Sequence, residues 1–294
     1  MIKYILMSAL SAIFFIWLYL SKFFSKIIFS FSQLSISELF FFFIGLFLSY
    51  LLRSLRIYFE FNNHTKGKFF TCLHITLIHN ALVNILPMRG GEIAFPVMLK
   101  KRFTISMEQS ISSLLWLRFQ DSVILFIFSI LIWPNIDAFK KVVIVTFIIV
   151  FIFLFQKNIS KLNIKNKKIK KILSFSNKKA KDGWIWTFSN WTLKLSIFSW
   201  FLSSIIGITQ INGLLGVIGG EIASILPIQG LAGFGSYEVG VATALNLSNF
   251  SFKEAINGAL ILHVCSLTFA ISCSIITLII HNIIIKNDYV KKND

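Results

Sequence analysis

Two broken stretches decide how this chain is read: ILPMRGGE at residues 85–92 and ILPIQGLAGFGSYE at residues 225–238. Each interrupts a long apolar run with a proline followed by glycines, a combination that stops a helix. Non-helical backbone at membrane depth persists only where protein or a water-filled cavity satisfies its polar groups. If the surrounding runs lie in a bilayer, the two stretches together imply a polar cavity.

The composition places them there. Of 294 residues, 56% are apolar, 16% aromatic and 14% charged, and the mean hydropathy is +0.77. With 33 phenylalanines against 12 acidic residues there is too little polar surface for a soluble enzyme, and the apolar content excludes a disordered chain. A net charge of +17 would suggest nucleic acid in a soluble protein; here it reads as basic loops facing anionic lipid, with no nucleic-acid partner. Cys72, Cys265 and Cys273 lie in apolar segments without metal-ligand spacing and read as small buried hydrophobes, not as a disulfide framework.

Outward from the broken stretches, six apolar runs read as spans: residues 4–20, 35–52, 108–133, 142–155, 184–206 and 255–285. The first reads as a retained helix, because its small residues sit inside the run and not after it, where a signal peptide is cleaved. Residues 157–181 hold ten lysines and no acid, which places that loop in the cytoplasm. Arg53 and Arg56 follow the second run and read as its cytoplasmic end. With Lys100, Lys101 and Arg102 also cytoplasmic, residues 69–99 must enter and return as a re-entrant hairpin, and residues 212–245 do so from the opposite face. The expectation is one all-α polytopic membrane domain over residues 1–294, with six full spans, two re-entrant hairpins and both termini cytoplasmic. Residues 1–133 and 139–285 form inverted-topology repeats. ILPMRG recurs as ILPIQG, and Ser106, Ile111, Leu115, Leu117 and Arg118 align at a constant offset with Ser251, Ile256, Leu260, Leu262 and His263.

The chemistry-bearing residues cluster in the same places. In the first hairpin Gly90 and Gly91 would let backbone amides approach a ligand, while Arg89 and Glu92 supply opposite charges; amides at a half-helix N-terminus with an arginine suit a phosphate. In the second, Gly230, Gly233 and Gly235 precede Glu238, which reads either as an acid satisfied by helix N-terminal amides or as a functional carboxylate. Arg118 and Asp121 share a helix face and can pair. Lys194 and Glu221 are isolated charges in apolar surroundings, and Lys194 could instead snorkel to an interface. His74, His79 and His263 read as hydrogen-bonded interior side chains. The chain shows no catalytic, metal-binding or nucleotide motif, which points to no cofactor and argues against an enzyme, although an intramembrane enzyme acting on a lipid phosphate needs only a few polar residues around a cavity.

Asn84, Leu86, Pro87, Arg89, Gly91 and Glu92, then Arg118 and Asp121, then Leu226, Pro227, Gly230, Gly233, Gly235 and Glu238 together resemble the motifs of the lysylphosphatidylglycerol synthase transmembrane, or flippase-like, family. The resemblance runs over nearly the whole chain. It implies a multi-pass protein of a bacterial or archaeal inner membrane, bacterial being the expectation here; in the two-part members this region flips an aminoacylated phospholipid, and some stand-alone members are linked with glycosyltransfer or polyprenyl-lipid pathways. The aminoacyl-transferase domain of two-part members is not in this sequence, so translocation without lysylphosphatidylglycerol synthesis is the expectation. His263 stands where the family often has a second arginine. The substrate-binding set expected is Asn84, Arg89, Gly90, Gly91, Glu92, Arg118, Asp121, Gly230, Gly233, Gly235 and Glu238, with membrane lipids as partners. The rival reading is a non-transporting partner of a lipid-modifying glycosyltransferase that docks through the lysine loop.

Overall fold

The computed structural model describes residues 34–159, 180–225 and 231–290. The run at residues 4–20, residues 160–179 of the lysine loop, and Leu226, Pro227 and Gly230 lie outside the described residues. Among the described residues the chain is helical throughout, with no strand.

Helix α1 (Ile36–Glu60) opens on a reciprocal cap: Ser35 Oγ accepts the Glu38 N–H at 3.1 Å and a Glu38 carboxylate oxygen accepts the Ser35 N–H at 2.9 Å. It runs two turns past the expected end at residue 52 and carries Arg53 and Arg56 inward, so these arginines are not the basic flank that the sequence pattern suggests. Lys66 and Lys68, after the single-turn helix α2 (Asn62–Thr65), are exposed. Helix α3 (Phe69–Ile85), a 3-10 segment (Pro87–Ile93) and α4 (Ala94–Phe103) make the first hairpin. Helix α5 (Met107–Ile132) follows, its first turn capped by Ser106, which accepts the Gln109 N–H at 3.2 Å. Next come α6 (Ala138–Ile159) and α7 (Ala180–Ile206). A bend of 113° at Gly207 leads into α8 (Gln210–Ile225), which pairs with α9 (Ser236–Asn246) as the second hairpin before α10 (Phe252–Val290).

Helix α1, α5 and Phe252–Ile280 of α10 are each long and apolar enough to cross a membrane, and the bent α7–α8 pair makes a fourth candidate. The chain is therefore a multi-pass membrane protein. Apolar side chains turned outward agree: on α6, Phe139, Phe147 and Phe153 are 77%, 69% and 64% exposed, a surface that water would not tolerate and lipid does.

Helices α1 and α7 pack antiparallel. Phe42 stacks on Phe201 at 4.1 Å between ring centroids, Ser49 donates to Asn190 Oδ1 at 2.7 Å, and Phe59 stacks on Trp186 at 5.2 Å. In the second hairpin the backbones of α8 and α9 touch: a Cβ on Gly219 would lie 2.4 Å from the Gly240 carbonyl oxygen. Small residues let helices approach this closely in lipid, where dispersion and not water drives packing. The first hairpin rests on a separate apolar cluster of Ile57, Cys72, Phe95, Leu99 and Leu117. Cys72 and Cys265 are buried as expected; Cys273 is half-buried.

Candidate functional site

A cavity of about 420 Å³ opens where the two hairpins meet, walled by α1, α3, α5, α7, α8, α9, α10 and both broken loops. Its floor is a ladder of alternating charges. At the closed end Arg56, buried on α1, donates to Asp121 Oδ1 at 2.7 Å, to the Leu117 carbonyl at 2.7 Å and to Gln120 Oε1 at 2.9 Å. Asp121 also accepts the Trp191 indole N–H at 3.1 Å and a guanidinium N–H of Arg118 at 3.2 Å. Arg118 reaches Glu92 at 2.8 Å, and Glu92 holds Arg89 at 2.8 Å and His79 at 3.2 Å. Arg89 ends the ladder by donating 3.0 Å across to the Ser224 carbonyl, in the last turn of α8. One connected network thus joins α1, α5, the first loop and the start of the second.

The local backbone explains who points where. Arg89 sits in the left-handed region at φ 55°, which turns its side chain back over the 3-10 segment toward Glu92. Gly91 packs on α3; a Cβ there would fall 2.3 Å from the Leu82 carbonyl carbon and the Val83 nitrogen. The 3-10 segment runs straight into α4, whose Ala94 N–H is already given to the Gly91 carbonyl. The loop's charged contacts are made by the side chains of Arg89 and Glu92.

Two further pairs stand on the opposite wall. Lys194 of α7 meets Glu221 of α8 at 2.6 Å and lies 5.2 Å from the Trp191 ring centroid, so it is paired inside the protein and does not snorkel. Glu238, fully buried at the start of α9, accepts the Gly235 N–H at 2.7 Å and pairs with His263 Nδ1 at 2.7 Å. The contact with the Gly235 N–H is the helix-start arrangement expected of Glu238. Arg53 of α1 faces the cavity and donates to Asn80 Oδ1 at 2.9 Å, with no carboxylate within 4 Å among the described residues. Asn80 Nδ2, Arg118 Nε and the Tyr237 hydroxyl are buried on cavity-lining side chains and have no hydrogen-bond partner among the described residues.

The model of one protein family, described as the lysylphosphatidylglycerol synthase TM region, matches residues 4–273. The chain belongs to that family. No curated protein and no solved structure matches it.

Of the residues singled out from the sequence, Arg89, Glu92, Arg118 and Asp121 come together in the ladder, and Asn84 lies exposed on the cavity wall. Gly233 lines the cavity at φ 81°, and Gly235 at φ 88° starts α9; neither angle suits a side chain. Gly90 and Gly91 do not line it, and Gly230 lies outside the described residues. Arg53, Arg56, His79 and Asn80 are members of the site that sequence reasoning does not select. It also misses the mutual pairing of Lys194 with Glu221, 27 residues apart; the same spacing separates Arg53 from Asn80 and is the signal that could have found both. Among the described residues no group of three His, Cys, Asp or Glu side chains is arranged to hold a metal ion.

Proposed function

We propose that this protein carries the headgroup of an anionic membrane lipid across the bilayer through the cavity between its two hairpins, the acyl chains remaining in lipid. The observation that carries the reading is the charge ladder from Arg56 to Arg89, which ties the first broken loop to α1, α5 and the last turn of α8 beside the cavity. Charges are costly at this depth and persist where they face a pathway or one another. Five arginine and lysine side chains, Arg53, Arg56, Arg89, Arg118 and Lys194, stand against four carboxylates, Glu92, Asp121, Glu221 and Glu238. That surplus favours a phosphate over a cationic group.

The six-span, two-hairpin repeat is part of the proposal. Residues spaced 141 apart recur in matching roles: Arg53 and Asn80 correspond to Lys194 and Glu221, and each pair joins a spanning helix to the incoming limb of a hairpin. Glu92 pairs with Arg118, 26 residues on; Glu238 pairs with His263, 25 residues on. Ser49 and Asn190, themselves 141 apart, bond directly. A residue in contact with its own counterpart lies on the axis that relates the halves, and antiparallel α1 and α7 require that axis to lie perpendicular to the helices, in the membrane plane. Such symmetry supports alternating access by rocking one half against the other. The lysine loop and the exposed Lys66, Lys68, Lys100 and Lys101 then face the cytoplasm of a bacterial cell, as do both termini.

The test is lipid exchange between leaflets in vesicles containing the purified protein and a fluorescent phosphatidylglycerol. Arg118→Ala and Arg89→Ala should each slow exchange about tenfold or more, the effect of losing a charge-assisted contact at about 1.4 kcal/mol per decade. Exchange at the wild-type rate in both variants, or no exchange with the wild type, overturns the reading.

A further inference from the structure

The two halves place different chemistry at matching positions. Where the first hairpin's acid, Glu92, meets an arginine, the second hairpin's acid, Glu238, meets His263. Histidine is the side chain whose charge changes between pH 5 and 8. Its Nδ1 pairs with Glu238, and the imidazole lies on the wall of the cavity with its ring 4.7 Å from that of Phe234 and 5.0 Å from that of Tyr237. Glu238 itself is fully buried and has no contact with the cavity, so its route to the aqueous pocket is through the imidazole.

Resting on the translocation reading above, we infer that Glu238 and His263 form a proton-binding site whose occupancy is coupled to binding of the anionic headgroup. With His263 neutral, the five cations and four carboxylates leave a surplus of one positive charge; a proton on the imidazole doubles it. Every element around His263 contributes charged or titratable groups. Helix α9 supplies Glu238 and Tyr237. Arg53 faces the cavity from α1, Lys194 from α7 and Glu221 from α8, the last two neutralising each other. The first loop and α5 supply the Arg89–Glu92 and Arg118–Asp121 pairs, and His79 of α3 is turned away toward Glu92. On α10 itself Cys265 and Cys273 sit in apolar clusters. Among the described residues His263 is the histidine that lines the cavity. By linkage, a proton that strengthens anion binding is itself bound more tightly when the anion is present.

The experiment measures binding of a short-chain phosphatidylglycerol to the full-length protein in detergent by calorimetry, in buffers of different ionisation enthalpy, from pH 5.5 to 8. The wild type should bind on the order of tenfold more tightly at the acid end, with net uptake of up to one proton per lipid near the middle of the range. His263→Arg should bind tightly at every pH with no proton uptake, and His263→Gln weakly at every pH with none. Lipid binding that takes up no proton in the wild type, or uptake that persists in both variants, overturns the proton site and leaves the headgroup cavity standing. Absence of lipid binding at every pH overturns the cavity reading and the proton site with it. Because His263→Gln keeps the size and a hydrogen bond of the imidazole, it separates titration from failure to fold.

Discussion

The two hairpins solve one problem with different means. The first is short, closes as a 3-10 segment and is held by charge: Glu92 sits among Arg89, Arg118 and His79. The second is held by backbone: Gly219 against Gly240 between its limbs, positive φ at Gly233 and Gly235, and one carboxylate shared between a helix start and an imidazole. A loop fixed by permanent charges cannot relax without exposing them to low dielectric, whereas one fixed by glycine contacts and a neutralisable pair can.

The largest test of that contrast is to remove the central acid of each half. Asp121 is the carboxylate shared by Arg56 and Arg118, so Asp121→Ala leaves Arg56 without a carboxylate and Arg118 with Glu92 alone, and should cost about 3–5 kcal/mol. Glu238→Gln leaves a histidine that can stay neutral, and should cost about 1–2 kcal/mol. Unfolding midpoints of the purified protein in detergent measure both. Equal losses would mean that the two halves are held alike.

Next in size is the role of glycine in each loop. Gly91→Ala drives a methyl group into the α3 backbone and should cost about 2–3 kcal/mol, while neighbouring Gly90, whose nearest neighbour would be Leu86 Cβ at 3.7 Å, should accept alanine with little change. In the second loop the glycines are needed for conformation: Gly233→Ala forces a side chain to φ 81° and should cost about 1–2 kcal/mol. The same unfolding assay decides, and a cost at Gly90 equal to that at Gly91 would remove the packing account.

Both kinks are legible in the sequence, because proline with nearby glycines in an apolar run marks each of them, and the three-residue spacing of Arg118 and Asp121 marks their pair. Arg53 and Arg56 mislead for a physical reason: an arginine that ends an apolar run satisfies the positive-inside rule and a buried ion pair equally well, and only Asp121, 65 residues away from Arg56, tells them apart. Glycine-rich sequence does not by itself distinguish open backbone, as at Gly90, from backbone pressed on a helix, as at Gly91. Lys194 and Glu221 are legible singly; their contact depends on the bend at Gly207, which folds α8 back along α7.

A third test moves the titratable group to the other half. Arg118→His places an imidazole between Glu92 and Asp121, where its protonated form replaces the lost guanidinium. That stabilisation is present at low pH and disappears as rising pH removes the proton, so stability should fall by about 1–2 kcal/mol between pH 5.5 and 8, beyond any change in the wild type. Thermal unfolding across that range reads it directly. A variant equally stable at both ends would show that position 118 needs hydrogen-bond donors and not charge.

The smallest expected effect tests whether the halves are related at all. Ser49 and Asn190 are 2% and 1% exposed, and their 2.7 Å bond crosses the axis proposed to relate α1 to α7. Interhelical hydrogen bonds in membranes contribute about 0.6 kcal/mol on average and about 1.7 at most, so Ser49→Ala or Asn190→Ala should each cost in that range. The informative variant exchanges them. If the two positions are equivalent across a twofold axis, Ser49→Asn with Asn190→Ser rebuilds the same pair with the partners reversed and recovers most of the loss of the single variants. If the environments are unrelated, an asparagine at 49 meets space shaped for a serine, and the double variant loses at least as much as the two singles together. A double-mutant cycle on unfolding free energies separates these outcomes, because only true equivalence gives a coupling opposite in sign to the single losses.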